Sequence, residues 1–223
     1  MALILSLETA TTNCSVAVSN NGKTIAIKED NDKGYSHAER LHVYIDAVLK
    51  EAGVNANDLD AIAVSKGPGS YTGLRIGVSA AKGLSYALEK PLISIPTLEA
   101  LSQQVKNDDG VIVSMLDARR MEVYSAIYDY NKNEIRETQA QILNESSFNN
   151  YLNQGRVYFI GNGVEKTKTL INHPNAFFIE NKLPSANELG LLAFNKYKIS
   201  DFEDVAYFEP YYLKDFVALK PKS

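Results

Sequence analysis

The feature that most restricts the fold is an order of elements that occurs twice along the chain. Leu3, Leu5 and Leu7 alternate with Ile4 and Ser6, and Cys14, Val16 and Val18 alternate with Ser15, Ala17 and Ser19. Ile25 and Ile27 mark a third alternating stretch. This two-residue period is that of a strand. Asn20-Asn21-Gly22 between the second and third stretches predicts a hairpin, because a two-residue turn needs positive φ and Asn-Gly adopts it readily. The period then changes. Leu41, Tyr44, Ile45, Val48, Leu49 and Ala52 recur at helical spacing, after a capping box at Ser36-His37-Ala38-Glu39 and before Gly53. Residues 61–65 predict a buried strand, 72–88 a helix, 92–95 a strand, and Pro96-Thr97 the start of a helix reaching about residue 105.

Lys106-Asn107-Asp108-Asp109-Gly110 breaks the pattern, and the order then repeats. Residues 111–116, 121–128 and 134–139 predict three strands. A helix at 146–152, a strand at 157–160, a helix after Gly163, a strand at 176–179 and a helix at 185–197 follow. Strands alternating with helices favour parallel pairing, and the opening hairpins make each sheet mixed. The expectation is a duplicated α/β fold with an N-terminal lobe at 1–107 and a C-terminal lobe at 108–223. The aromatic stretch from Tyr207 to Lys214 is expected to dock on the body, and Lys220-Pro221-Lys222-Ser223 to stay loose.

Composition narrows the function. A chain of 223 residues buries roughly 70–75% of its unfolded surface and needs no staple. Cys14 is the one cysteine, so no internal disulfide forms and a reducing, cytoplasmic setting is expected. No apolar run approaches the ~18 residues of a membrane span, and the first residues read as a strand rather than a leader. A net charge of −4 and pI of about 5.5 exclude a broad positive field, so any RNA served by this chain is held mainly by something else.

The segment Ser65 to Gly77 is the sharpest motif. Its glycines lie between a strand and a helix, where they permit tight turns and leave amides at a helix start for an anion. No Gly-Lys-Ser/Thr ends it, so it is not a Walker A loop, and Pro68 and Thr72 stand where a nucleophile elbow around Ser70 needs glycine. The alternative is a turn that sets how closely the helix approaches the sheet. In that helix Leu74, Val78, Ala81, Ser85 and Leu88 form one stripe and Gly73, Ile76, Gly77, Ala80 and Leu84 another, which predicts burial on two sides. His37 and His42 lie five apart and point away from each other on a helix, which does not suit a metal pair, and Cys14 reads as a packed strand residue. Asp117-Ala118-Arg119-Arg120 is a charged turn that suits an anion or surface ion pairs.

Several segments together resemble the TsaB (YeaZ) family: Leu5-Ser6-Leu7-Glu8-Thr9-Ala10, His37-Ala38-Glu39-Arg40-Leu41, the run from Gly67 to Gly77, Asp117 to Arg120 with Glu122-Val123-Tyr124, Gly161-Asn162-Gly163, and Pro210 to Lys214. The resemblance covers nearly the whole chain and implies the duplicated actin-like ATPase (sugar-kinase-like) fold. It implies a non-catalytic subunit in making threonylcarbamoyladenosine in the tRNA anticodon loop. Its implied partners are a TsaD-type paralogue that carries the metal and the transfer chemistry, and a TsaE-type ATPase, with tRNA reached through the complex. The family's dimerisation surface is built from the first two helices. On this chain that surface falls on Ser36, His37, Leu41, Tyr44, Ile45 and Val48, and on Gly73, Leu74, Arg75, Gly77, Val78 and Ala81. A homodimer would use the same surface. Candidate anion or nucleotide contacts are Glu8, Thr9, Gly67, Gly69, Ser70, Asp117 and Arg119. No catalytic or metal residue is expected, and ATP, ADP or a metal ion would enter through the partners. The chain departs from the family pattern in three places. Glu8 stands where an aspartate is common and Lys214 where an arginine is common, and the 117–120 turn lacks the glycines of a second phosphate loop. A nucleotide-dependent enzyme or peptidase on the same fold is the competing expectation.

Overall fold

The computed structural model describes residues 1–31 and 37–214. Ser36, its capping box with Glu39, and the terminal Lys220 to Ser223 lie outside the described residues. Five strands from each half form a separate sheet. The first contains β1 (Leu3–Glu8), β2 (Cys14–Asn20), β3 (Lys23–Asp30), β4 (Ala61–Gly67) and β5 (Leu92–Pro96), in the order β3-β2-β1-β4-β5. The second contains β6 (Val111–Asp117), β7 (Glu122–Asp129), β8 (Glu134–Ile142), β9 (Val157–Ile160) and β10 (Ala176–Ile179), in the order β10-β9-β6-β7-β8. The two orders are the same when each half is counted from its own first strand. Within each, the first three strands pair antiparallel and the last two add in parallel, giving the mixed sheets expected. The β2–β3 turn places Asn21 and Gly22 at φ 49° and 81°, the conformation that Asn-Gly tolerates.

The helices are α1 (His37–Ala52), α2 (Tyr71–Leu88), α3 (Thr97–Ser102), α4 (Asn149–Leu152), α5 (Val164–Lys168) and α6 (Ala186–Lys198). α3 is shorter than the sequence suggests. Its last turn tightens to three-residue bonds, Gln103 N to Ala100 O and Gln104 N to Leu101 O, so the coil to Val105 is no longer α-helical. α4 is also shorter, because the Asn144 side chain accepts from the Ser146 amide at 2.9 Å and holds a turn there instead.

All six β1 residues are buried, and its alternating side chains feed two cores. Leu3, Leu5 and Leu7 pack with Leu41, Ile45 and Val48 of α1 and Val78 and Ala81 of α2. Ile4, with Ala61, Ala63 and Ile93, packs against Leu189 and Ala193 of α6. Full burial of each large aliphatic side chain stabilises by about 1.5–3 kcal/mol, so this strand anchors the first sheet from both sides. Leu98 and Leu101 of α3 meet Ile112, Leu116 and Tyr128 of the second sheet, whose other face is covered by Leu152 and Val164. The helices therefore cross over. α3 sits between the sheets, with Ala100 against the first and Leu98 and Leu101 against the second, and α6 returns from the second half to cover the first sheet.

Candidate docking face and the turns between the sheets

α1 and α2 lie side by side on one face of the first sheet. Their periodic apolar residues point inward: His37, Leu41, Ile45 and Val48 on α1, and Gly73, Leu74, Gly77, Val78 and Ala81 on α2, are buried. Tyr44 is half-buried, with its hydroxyl 3.3 Å from Asp30 Oδ2, and Arg75 is exposed. The outer face is carried by other residues. Val43 is 62% exposed and Tyr86 81%, and Ile76, Ala80, Leu84 and Leu88 form a half-buried apolar seam along α2. Spacing gives no warning of Val43 and Tyr86, since each falls off the apolar stripe that packs inward.

The α2 glycines answer to the chain itself. A Cβ on Gly73 would stand 2.1 Å from the Thr9 carbonyl oxygen, and one on Gly77 would stand 2.2 Å from Thr9 Oγ1. Thr9 Oγ1 donates to Gly73 O at 2.7 Å, which locks α2 onto the end of β1. Gly69 meets Ala10 in the same way, whereas Gly83 has open space where its Cβ would be. The glycine turn is consumed by packing. Ser70 Oγ caps α2 by accepting from Gly73 N at 3.3 Å, Ser70 N donates to Ala10 O at 2.7 Å, and Gly67 N donates to Thr97 Oγ1 at 3.1 Å.

A cleft of about 660 Å³ separates the β1–β2 turn and the end of β3 from the second half, and is lined by Thr12, Asn31, Asn162, Lys168, Glu180 and Lys182 among others. The turns on either side of it are braced by their own side chains. Ala10 N donates to Glu8 Oε1 at 2.6 Å and Asn13 N to Thr11 Oγ1 at 3.3 Å. On the opposite turn Asp117 N donates to Asn162 Oδ1 at 2.8 Å and Arg119 N to Asp117 Oδ1 at 2.6 Å. These four amides already have side-chain acceptors. Glu8 is fully buried, and its Oε2 has no hydrogen bond. Burial pushes its carboxyl up to about 7, against the Ala10 and Thr9 amides and Ser65, which favour the ionised form. His37 Nε2 lies 2.7 Å from the Thr11 carbonyl oxygen, a structural contact.

The aromatic tail docks, as the sequence suggests. Glu203 N donates to Leu92 O, Lys82 Nζ reaches the carbonyls of Ala206 and Phe208, and Tyr211 N donates to Lys66 O at 2.7 Å. Gly67 is the seat for this strap, because a Cβ there would lie 2.6 Å from Tyr211 O. The Tyr212 ring stands 4.9 Å from that of Tyr71, and Lys214 pairs with Glu122 of β7, tying the strap to the second sheet. The β6–β7 turn itself is unusual. Arg119 and Arg120 have φ 69° and 50°, a left-handed pair that costs about 1–2 kcal/mol per non-glycine residue. Lys166 Nζ holds the turn through Asp117 Oδ1 at 2.8 Å and the carbonyls of Arg120 and Glu122 at 2.6 and 3.0 Å.

Two matching mixed sheets, covered on both faces and facing each other across a cleft, define a duplicated protein of the actin-like ATPase fold. The family model described as "TsaD: tRNA N6-adenosine threonylcarbamoyltransferase" matches residues 31–222. The chain is 31% identical to the tRNA threonylcarbamoyladenosine biosynthesis protein TsaB of Escherichia coli, across 97% of this chain and 96% of that one. It is 40% identical to the protein of the same name from Bacillus subtilis over 43% of this chain and 42% of the other. The solved structure of YeaZ from Pseudomonas aeruginosa superposes with a TM-score of 0.81 at 27% identity, covering 96% of this chain and all of that one. The chain belongs to the TsaB (YeaZ) family. Among the described residues, no helix is long and apolar enough to cross a membrane.

Proposed function

We propose that this chain serves the biosynthesis of tRNA threonylcarbamoyladenosine as a docking subunit, binding a TsaD-type paralogue through the outer face of α1 and α2. The observation that carries this reading is that face. It keeps Val43 and Tyr86 in water, carries the half-buried seam of Ile76, Ala80, Leu84 and Leu88, and leaves Gly83 open for close approach by another backbone. The relatives' name supports the pathway, and the family model supports a TsaD-type partner with a related fold. In this reading the chain catalyses no step alone. The turn amides that would bind phosphate serve its own side chains, and nucleotide and metal chemistry stays with the TsaD-type transferase and a TsaE-type ATPase. A homodimer on the same face is the state exchanged for the mixed complex.

The test uses surface positions, because Ala81 and Leu41 are fully buried and a charge there would report on folding. Val43→Asp together with Tyr86→Asp is expected to weaken the mixed complex by about 100-fold, the order expected when two interface anchors are lost, with thermal stability unchanged. Light scattering of the mixed proteins reads the complex. A complex of undiminished affinity would place the interface elsewhere, and a mixture that stays monomeric with unaltered protein would remove the docking reading.

A further inference from the structure

We infer that the β6–β7 turn and the tail residues fastened to it form a contact surface for RNA backbone, which on the reading above is that of tRNA. Two consecutive left-handed residues occur elsewhere in the described chain at Asn21-Gly22, residues that accept this conformation, but at Arg119-Arg120 both side chains are strained. Nothing within the described chain rewards arginine there. Both are exposed, and among the described residues neither guanidinium has a hydrogen bond or ion pair. The turn is held instead by Lys166, so it does not depend on them.

The local acids are already neutralised. Asp117 pairs with Lys166, and Glu122 pairs with Lys214. Two adjacent exposed arginines, without a counter-charge among the described residues, therefore stand on a chain whose net charge is −4. Lys214 continues this surface along the tail to a stack of planar groups: Arg75 lies 4.3 Å over the Tyr71 ring and donates to Tyr212 Oη at 3.2 Å. Glu209 is the acid on that side of the groove. Neighbouring guanidinium groups suit phosphate oxygens, and the half-buried Tyr71 and Tyr212 rings, with Arg75 over the first, suit an unstacked base at their open edge. This combination fits RNA better than an acidic peptide, which has no bases to stack.

The variant R119N/R120G tests the inference without risk to the fold, because Asn and Gly accept the left-handed turn. Its melting temperature is expected to rise by a few degrees, about the relief of two strained residues. Binding of an unmodified tRNA transcript is measured with the full chain alone at low salt and with the TsaD-type complex, each across a salt series. The expected result is an affinity lower by about tenfold or more and a salt slope reduced by about two, one unit per lost phosphate contact. The charge-matched control K23N/K198N lies by the β2–β3 turn and α6 and is expected to keep the wild-type slope. Unchanged affinity and slope in R119N/R120G would overturn the inference while leaving docking intact. A variant that binds tRNA normally but no longer joins the paralogue would overturn it in favour of a protein contact. Failure of the unaltered chain to bind tRNA in either preparation would overturn it as well.

Discussion

Replacing Glu8 by Gln is expected to raise stability by about 3 kcal/mol near pH 8 and to leave it nearly unchanged near pH 4. Glu8 is fully buried at the end of β1, and burial moves its carboxyl from the ordinary 4.5 up to about 7. Between these values the folded chain holds a proton that the unfolded chain has released. Its contribution to stability is therefore fully present below the ordinary value, falls as pH rises through the window, and is lost above about 7. A gap of two to three units at ~1.36 kcal/mol each gives the expected difference. Glutamine keeps an oxygen for the Ala10 amide and never ionises. Urea unfolding of both proteins across this window isolates Glu8 from Glu99 and Glu188, which burial also shifts upward. Parallel stability curves for the two proteins would show that the carboxyl is not held neutral.

The second large effect is on α2. Gly73→Ala is expected to destabilise by about 3 kcal/mol or more, because its Cβ would stand 2.1 Å from a backbone oxygen that cannot rotate aside. Relief requires α2 to lift from β1, which breaks the bond from Thr9 Oγ1 to Gly73 O. The same substitution three turns later has the opposite sign. Gly83→Ala meets nothing within 4 Å and is expected to stabilise the free chain by about 0.5–1 kcal/mol by restricting the unfolded state. On the proposed docking face it would also crowd a partner, so lower affinity in a more stable protein is the expected pair of readings. Chemical denaturation checks both variants. A loss below about 1 kcal/mol for Gly73→Ala would mean that the turn yields easily.

The sheets were legible because period and turn chemistry are local. Alternating residues mark β1 and β2, and Asn21-Gly22 marks their hairpin with β3. Helix ends were less legible, since α3 tightens and α4 yields to an Asn144 turn through bonds that spacing does not encode. The candidate face was legible as a pair of helices, but not which of their residues stay in water. Apolar spacing selects the side facing the sheet, so Leu41, Ile45, Val48, Leu74, Val78 and Ala81 lie in the core. Val43 and Tyr86 carry no period and emerge only when burial is known. The charged turn at Asp117 was visible, but its left-handed arginines and the Lys166 clamp depend on a residue 46 positions away from Arg120. Nor does sequence show that α6 covers the opposite sheet, because both sheets present similar small and branched side chains.

That exchange of α3 and α6 governs how the molecule comes apart. Each sheet obtains a covering layer from the other half of the chain, so neither half retains its two-sided shelter when separated. Denaturation is expected to show one transition by fluorescence and by far-ultraviolet dichroism, with no plateau in which one sheet persists alone. The same weave limits working motion. The backbone passes between the sheets near α3 and again before α6, and Lys214 fastens the strap to Glu122. A freely swinging hinge needs a single pivot. With this lacing, small sliding of packed layers is the expected motion of the cleft, in place of a swing about one hinge.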